Sequence, residues 1–385
     1  MKNPLQHLHD EGQAVWLDFL DRTFLAEGGL RKLIDEDGLT GVTSNPSIFE
    51  KAMGHGDAYD EGFKTWLKKA GANAAASNAT DAYEAQAIDD IRHAADDLRP
   101  VYDKLNGKDG YVSLEVSPYI ANDTQQTIAE ARRLWQAVDR PNLMIKVPGT
   151  ATGVPAVRQL IEDGLNINIT LLFSQQAYQS VADAFFAGLE ARVKKNESID
   201  RIASVASFFV SRIDAQIDKA IDQRIKDSDA ESAALRALRG KVAIANAKLA
   251  YVRYQEMIAS ARWEALAKKG AMPQRLLWAS TGTKDPAYSP TLYIDTLIGP
   301  DTVNTMPPKT MDAFREHGVV TRSLTQDVED ARQVLAETER LGLDLDAVTA
   351  ALVEDGVKQF TDAADKLLAA VGAKRTALTG NTSVQ

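Results

Sequence analysis

Eight short apolar runs, most of them carrying β-branched residues and each followed by a stretch of helical pattern, restrict what this chain can become more than any other feature. They read AVWLDFL (14–20), TGVTSNP (40–46), YVSLEV (111–116), NLMIKVP (142–148), NINITLLFS (166–174), RIASVASFFV (201–210), RLLWAS (275–280) and TVNTMPP (302–308). Helix formers such as DTQQTIAEARRLWQAV and SQQAYQSVADAFFAGLEARV separate them. Strand then helix, eight times over, predicts an α/β fold, a (β/α)8 TIM barrel built as one domain over residues 1–385. A doubly wound open sheet would bring a glycine-rich turn after an early strand, and neither G-x-G-x-x-G nor G-x-x-x-x-G-K-[ST] is present.

Two connections are longer than one helix requires, about 47–110 and 211–274, and both read as additional helices, the first closed by DKLNGKDG. Past the eighth run, amphipathic segments over about 324–374 predict helices that wrap the barrel or cover one end. The final RTALTGNTSVQ is expected to fray.

The net charge of −10, with no block of like charges, argues against a nucleic-acid surface and against an anionic membrane. Any local positive charge must then serve a small anion. The N-terminal MKNPLQHLHDEGQAVW has no apolar signal core, and no run approaches the roughly 18 apolar residues of a membrane span, so a cytoplasmic location is expected. Cysteine is absent, which excludes disulfides and thiol chemistry. His7 and His9 are the only close pair among five histidines, and no metal site is expected from them. A monomer and a homodimer are both compatible with the sequence.

The fourth run carries a lysine among apolar neighbours, and an ammonium is almost never buried without a partner. In a strand, alternate side chains face opposite ways. Leu143, Ile145 and Val147 form one set, facing the helices, which leaves Asn142, Met144 and Lys146 toward the barrel axis. The same sorting sends Asp18, Glu115, Asn166, Asn168 and Thr170 inward, opposite Val15, Leu17 and Phe19, Val112, Leu114 and Val116, and Ile167, Ile169 and Leu171. Asn45 travels with Thr43, and Ser207 lies opposite Phe208. These polar residues fall mostly late in their strands, at the end where barrel active sites are built.

An enclosed lysine whose charged form is disfavoured by desolvation can act as a nucleophilic amine toward a carbonyl. Schiff-base chemistry also needs a proton shuttle and a base for the β-hydroxyl, roles that Asp18 and Glu115 can divide. Thr170 can hold a water between Glu115 and the amine, while Asn45, Asn168 and Ser207 suit the hydroxyls of a polyol. Alternatively, Lys146 is the partner in a structural ion pair with either carboxylate. Arg212, just past the sixth run, and Ser280 and Lys284, after the seventh, form a candidate phosphate clamp at adjacent barrel mouths.

The segments GVTSNPSIFEKA, SLEVSP, NLMIKVPGT, NINITLLFS, SFFVSRID and LWASTGTKDPAY occur in this order, and at these residues the sequence resembles the transaldolase family, in its longer bacterial branch. The resemblance implies that Lys146 forms the Schiff base and that Asp18 takes the β-hydroxyl proton. It implies that Glu115 and Thr170 position the water, and that Asn45, Asn168 and Ser207 hold substrate hydroxyls. Arg212 matches the family's phosphate arginine, with Phe209 lining the site. Shorter members carry a second arginine after strand seven where this chain reads STGTK, so the role passes to Lys284, a point charge in place of a bidentate fork. The implied reaction moves a dihydroxyacetone unit from sedoheptulose 7-phosphate or fructose 6-phosphate to an aldose phosphate, with sugar phosphates as partners and no cofactor. An aldolase that releases dihydroxyacetone to water, and a non-catalytic sugar-phosphate binding barrel, use the same residues and stand as alternatives.

Overall fold

The structure, a computed structural model, describes residues 2–54, 56–70, 78–227 and 230–380. Each of the eight apolar runs forms a strand: β1 (Gln13–Leu17), β2 (Gly41–Val42), β3 (Tyr111–Glu115), β4 (Leu143–Pro148), β5 (Ile167–Leu172), β6 (Ser204–Phe209), β7 (Arg275–Ala279) and β8 (Thr302–Met306). Neighbours pair in parallel in chain order, and β8 returns to β1, so the barrel closes as the alternation predicts. The strands are shorter than the runs because residues such as Asp18, Thr43 and Ser280 leave the ladder to build the loops at its C-terminal end.

A buried cluster closes the opposite end. Trp16 is fully buried, and a side chain at Gly41 would lie 2.3 Å from its ring, so only glycine fits there. The Trp16 indole donates to Asp109 Oδ1 (3.0 Å), while Thr40 Oγ1 and Arg275 Nη1 donate to Oδ2 (2.9 and 3.1 Å). Asp109 precedes β3 and Arg275 opens β7, across the barrel from one another, so their ion pair spans the floor. In this fold that end serves stability.

Three expectations from the sequence need correction. Asn142 and Asn166, sorted inward by alternation, stand just before their strands and serve the N-terminal loops instead. Asn142 Nδ2 donates to the carbonyls of Ala95 (2.8 Å) and Gly110 (2.9 Å), and Asn166 Nδ2 to those of Pro141 and Leu143 (both 3.0 Å). Alternation holds only inside a ladder. Leu171 likewise leaves its set. The β5–β6 register shifts between Ile169 and Leu172, and Leu171 adopts a left-handed φ of 61°, the geometry of a bulge. Its side chain abuts Gly356, where an added Cβ would lie 2.7 Å away. Finally, the C-terminal helix Leu345–Gly380 runs on through residues expected to fray, and the last five lie outside the described residues.

The first insertion supplies helices Pro46–Gly54, Asp60–Ala70 and Ala79–Lys104, the last opened by an Asn78–Asp81 capping box. Its predicted closing turn is present, with Asn106, Gly107 and Gly110 all at positive φ. The second insertion supplies Ser211–Lys226, Ser232–Leu238, Val242–Ile258 and Ala261–Ala267. Helix Leu345–Gly380 packs along Pro46–Gly54, is tied by Lys374 to Asp60 (3.0 Å), and sets Phe360 over the barrel mouth. Among the described residues no helix is long and apolar enough to cross a membrane.

Candidate active site

Glu115, Lys146 and Asn168 stand in register across β3, β4 and β5, so the sheet itself sets the three side chains side by side. Lys146 is 5% exposed, and its Nζ lies 3.2 Å from Glu115 Oε2 and donates to the Ser44 carbonyl (3.2 Å). The Lys146–Glu115 contact is an ion pair between two side chains that are both nearly fully buried. Burial pushes the Glu115 carboxyl up and Asp18 adds to the rise, against the pull of Lys146. The Phe360 ring, carried by the C-terminal helix that roofs the mouth, lies 5.7 Å from the Lys146 ammonium.

A cavity of about 320 Å³ opens above Lys146 at the C-terminal ends of the strands. Asp18, Asn45, Lys146, Thr170, Ser207, Phe209, Arg212, Ser280 and Lys284, all singled out from the sequence, line it. Thr43 Oγ1 donates to Asp18 Oδ1 (2.7 Å), and the Asp18 N–H donates to the Met306 carbonyl (2.8 Å), fixing that carboxylate at the rim of β1. Asn45 accepts from the Ile48 N–H (3.0 Å), capping helix Pro46–Gly54 with the same side chain that faces the cavity. Thr170 Oγ1 is buried without a hydrogen-bond partner.

Glu115 and Asn168 are the two predicted residues that do not line the cavity directly. Asn168 is fully buried, donates to Ser113 Oγ (3.0 Å) and accepts from Ser207 Oγ (2.7 Å), so it orients Ser207. On the far rim, Arg212 lies with its guanidinium 5.2 Å from the Phe209 ring centre, and its Nη1 is buried with no hydrogen-bond partner among the described residues. Desolvation at the cavity wall lowers the Arg212 guanidinium, and desolvation, with the charges of Arg212 and Lys51, also lowers the Lys284 ammonium, whose side chain keeps contact with solvent. Ser280, at a left-handed φ of 55°, meets Ser211 Oγ at 3.0 Å and accepts the Ser211 N–H at its carbonyl. That helix, Ser211–Lys226, starts without a side-chain cap.

Sequence reasoning missed Lys51, Phe360 and Thr305, which also line the cavity. Thr305 lies in β8, whose alternation was not sorted, and its hydroxyl meets that of Thr43 at 2.9 Å. His7 and His9 take separate partners, Asp10 (3.1 Å) and the Gly38 carbonyl (2.7 Å).

A closed (β/α)8 barrel whose C-terminal mouth holds a buried lysine beside two carboxylates, with cations on the rim, defines a class of barrel proteins built to hold small anionic carbonyl compounds. The family model for transaldolase/fructose-6-phosphate aldolase matches residues 15–371, and the chain belongs to that family. It is 48% identical over 369 residues to the transaldolase of Thermobifida fusca, covering 96% of this chain and 97% of the relative. Against the transaldolase of Trichodesmium erythraeum it is 46% identical over 362 residues, covering 93% and 94%. Against transaldolase 2 of Streptomyces coelicolor it is 46% identical, covering 96% of each chain.

Proposed function

We propose that the protein is a transaldolase, a transferase that moves a dihydroxyacetone unit from sedoheptulose 7-phosphate or fructose 6-phosphate to glyceraldehyde 3-phosphate or erythrose 4-phosphate, in the non-oxidative pentose phosphate pathway. The observation that carries the reading is the buried Lys146 amine 3.2 Å from Glu115, in one cavity with Asp18, Thr170 and cations that have no ion-pair partner among the described residues.

Lys146 Nζ attacks the ketose C2 carbonyl as the free amine, and its proton has a short path to Glu115, whose charged form burial disfavours. The carbinolamine loses water and becomes an iminium. Asp18 takes the C4 hydroxyl proton, the C3–C4 bond breaks, and its electron pair flows into the iminium to give an enamine. The shortened aldose leaves as an aldehyde. The enamine carbon attacks the acceptor aldehyde, Asp18 returns the proton, and water held by Glu115 and Thr170 hydrolyses the new iminium. Asn45 and Ser207 hold hydroxyls, while Arg212, Ser280 and Lys284 hold the phosphate. No cofactor enters, because the protonated iminium is the electron sink.

Borohydride reduction with fructose 6-phosphate, followed by peptide mapping, tests this. A reduced sugar adduct on Lys146, absent from Lys146→Ala, is expected. An adduct on another lysine, or none, leaves Lys146 as an ion-pair partner and overturns the assignment. Free dihydroxyacetone accumulating over many turnovers without acceptor overturns the transferase in favour of a lyase.

A further inference from the structure

Lys51, Arg212 and Lys284 face one cavity from different elements, and none has an ion-pair partner among the described residues. Arg212 and Lys284 follow β6 and β7, whereas Lys51 sits on helix Pro46–Gly54 after β2, on the other side of the mouth. Lys51 is nonetheless close enough for its charge, with that of Arg212, to act on the Lys284 ammonium. Most other basic side chains of the shell are matched, as Arg239 is by Asp222 and Asp285 and Arg22 by Asp90.

Three like charges around one space repel, and the partial burial of Arg212 raises that cost, while Lys51 and Lys284 keep contact with solvent. Two carboxylates offset part of it, Asp18 in the cavity and Asp355 near Arg212, but neither forms an ion pair with any of the three. The buried, partnerless Arg212 Nη1 shows where a hydrogen-bond acceptor fits. A dianion with several acceptor oxygens, seated between the two sides of the mouth, relieves the repulsion and satisfies that donor.

We propose that Lys51 is a specificity-determining residue, the third member of the clamp that reads the sugar's terminal phosphate with Arg212 and Lys284. The inference rests on the transaldolase reading and adds to it. Helix Leu345–Gly380 packs along the helix bearing Lys51 and so sets the position of that helix at the mouth.

Lys51→Met keeps the aliphatic stem and removes the charge. Its preference for fructose 6-phosphate over fructose, taken as the ratio of kcat/KM values, should fall about tenfold, and Lys51→Arg should restore most of it. Inorganic phosphate titrated into the protein by calorimetry should bind about tenfold more weakly to Lys51→Met, by a margin that shrinks as salt is added. Equal losses on fructose and fructose 6-phosphate, or unchanged phosphate affinity, overturn the proposal even where borohydride still traps sugar on Lys146. Weakened phosphate binding in a protein that traps no sugar would instead retain the clamp and overturn the transaldolase reading.

Discussion

Thr170→Val separates a catalytic hydroxyl from a packing one, because the two roles predict effects of opposite sign. Thr170 is fully buried on β5, and its Oγ1 has no hydrogen-bond partner among the described residues. Valine has nearly the same shape. A buried hydroxyl left unpaired costs about 1–3 kcal/mol, so if Thr170 only packs, valine should stabilise the chain by part of that amount at no catalytic cost. If the hydroxyl positions the reacting water, the substitution removes one preorganised hydrogen bond at the reaction centre. Losses of that kind run to about 10²–10³-fold in kcat, roughly 3–4 kcal/mol of barrier.

The assay pairs steady-state transfer from fructose 6-phosphate to erythrose 4-phosphate with a melting curve. We expect kcat to drop about 100-fold or more, with Tm unchanged or higher by a few degrees at most. Borohydride trapping of sugar on Lys146 should still occur but build up more slowly, since water must leave before the iminium exists. A kcat within threefold of the parent would refute the catalytic role. A Tm lowered by many degrees would show that the hydroxyl is bonded in the resting fold, against the geometry described above.

Asp18→Asn keeps an acceptor for Thr43 and should trap substrate on Lys146 yet fail to cleave it; normal turnover would remove Asp18 from the mechanism. Asp109→Ala strands Arg275 and the Trp16 indole in the barrel floor and should cost about 3–5 kcal/mol in denaturant melts, with KM of the folded enzyme little changed, so a loss under 1 kcal/mol would show that the ion pair is dispensable. Burial, aided by nearby Asp218 and opposed by the Ala243 N–H and the Tyr293 hydroxyl, pushes the Asp214 carboxyl up to about 7. An unfolded aspartate titrates near 4, so between these values the folded chain holds a proton that the unfolded chain has lost, and stability falls as pH rises through that window. Asp214→Asn should flatten that decline and gain most over the parent above pH 7, by at most about 4 kcal/mol; parallel Tm profiles would contradict the assignment.

What the sequence made legible follows from how far each signal reaches. Alternation inside a strand is local, and it placed Lys146, Asp18, Glu115 and Thr170 toward the axis because each lies in or next to a ladder residue late in its strand. It failed for Asn142 and Asn166, which stand before the ladder begins, and for Leu171, whose left-handed backbone runs against the preference of a leucine and is held by contact with a helix some 180 residues later in the chain. The ion pair across the floor joins Asp109, in a loop, to the first residue of β7, and no short-range pattern connects them. Lys51 differs in kind. It lies in GVTSNPSIFEKA, where strand-based sorting stops at Asn45, yet Ser47 and Lys51 stand four apart and so share one helix face. Asn45 caps that helix and faces the cavity, so its first turn begins at the barrel mouth, and the face carrying Ser47 looks inward. Extending the inward sorting through the first two turns of the helix that follows β2 would have reached the third cation from the sequence. It would not have reached Phe360, because the roof that carries Phe360 is placed by long-range packing.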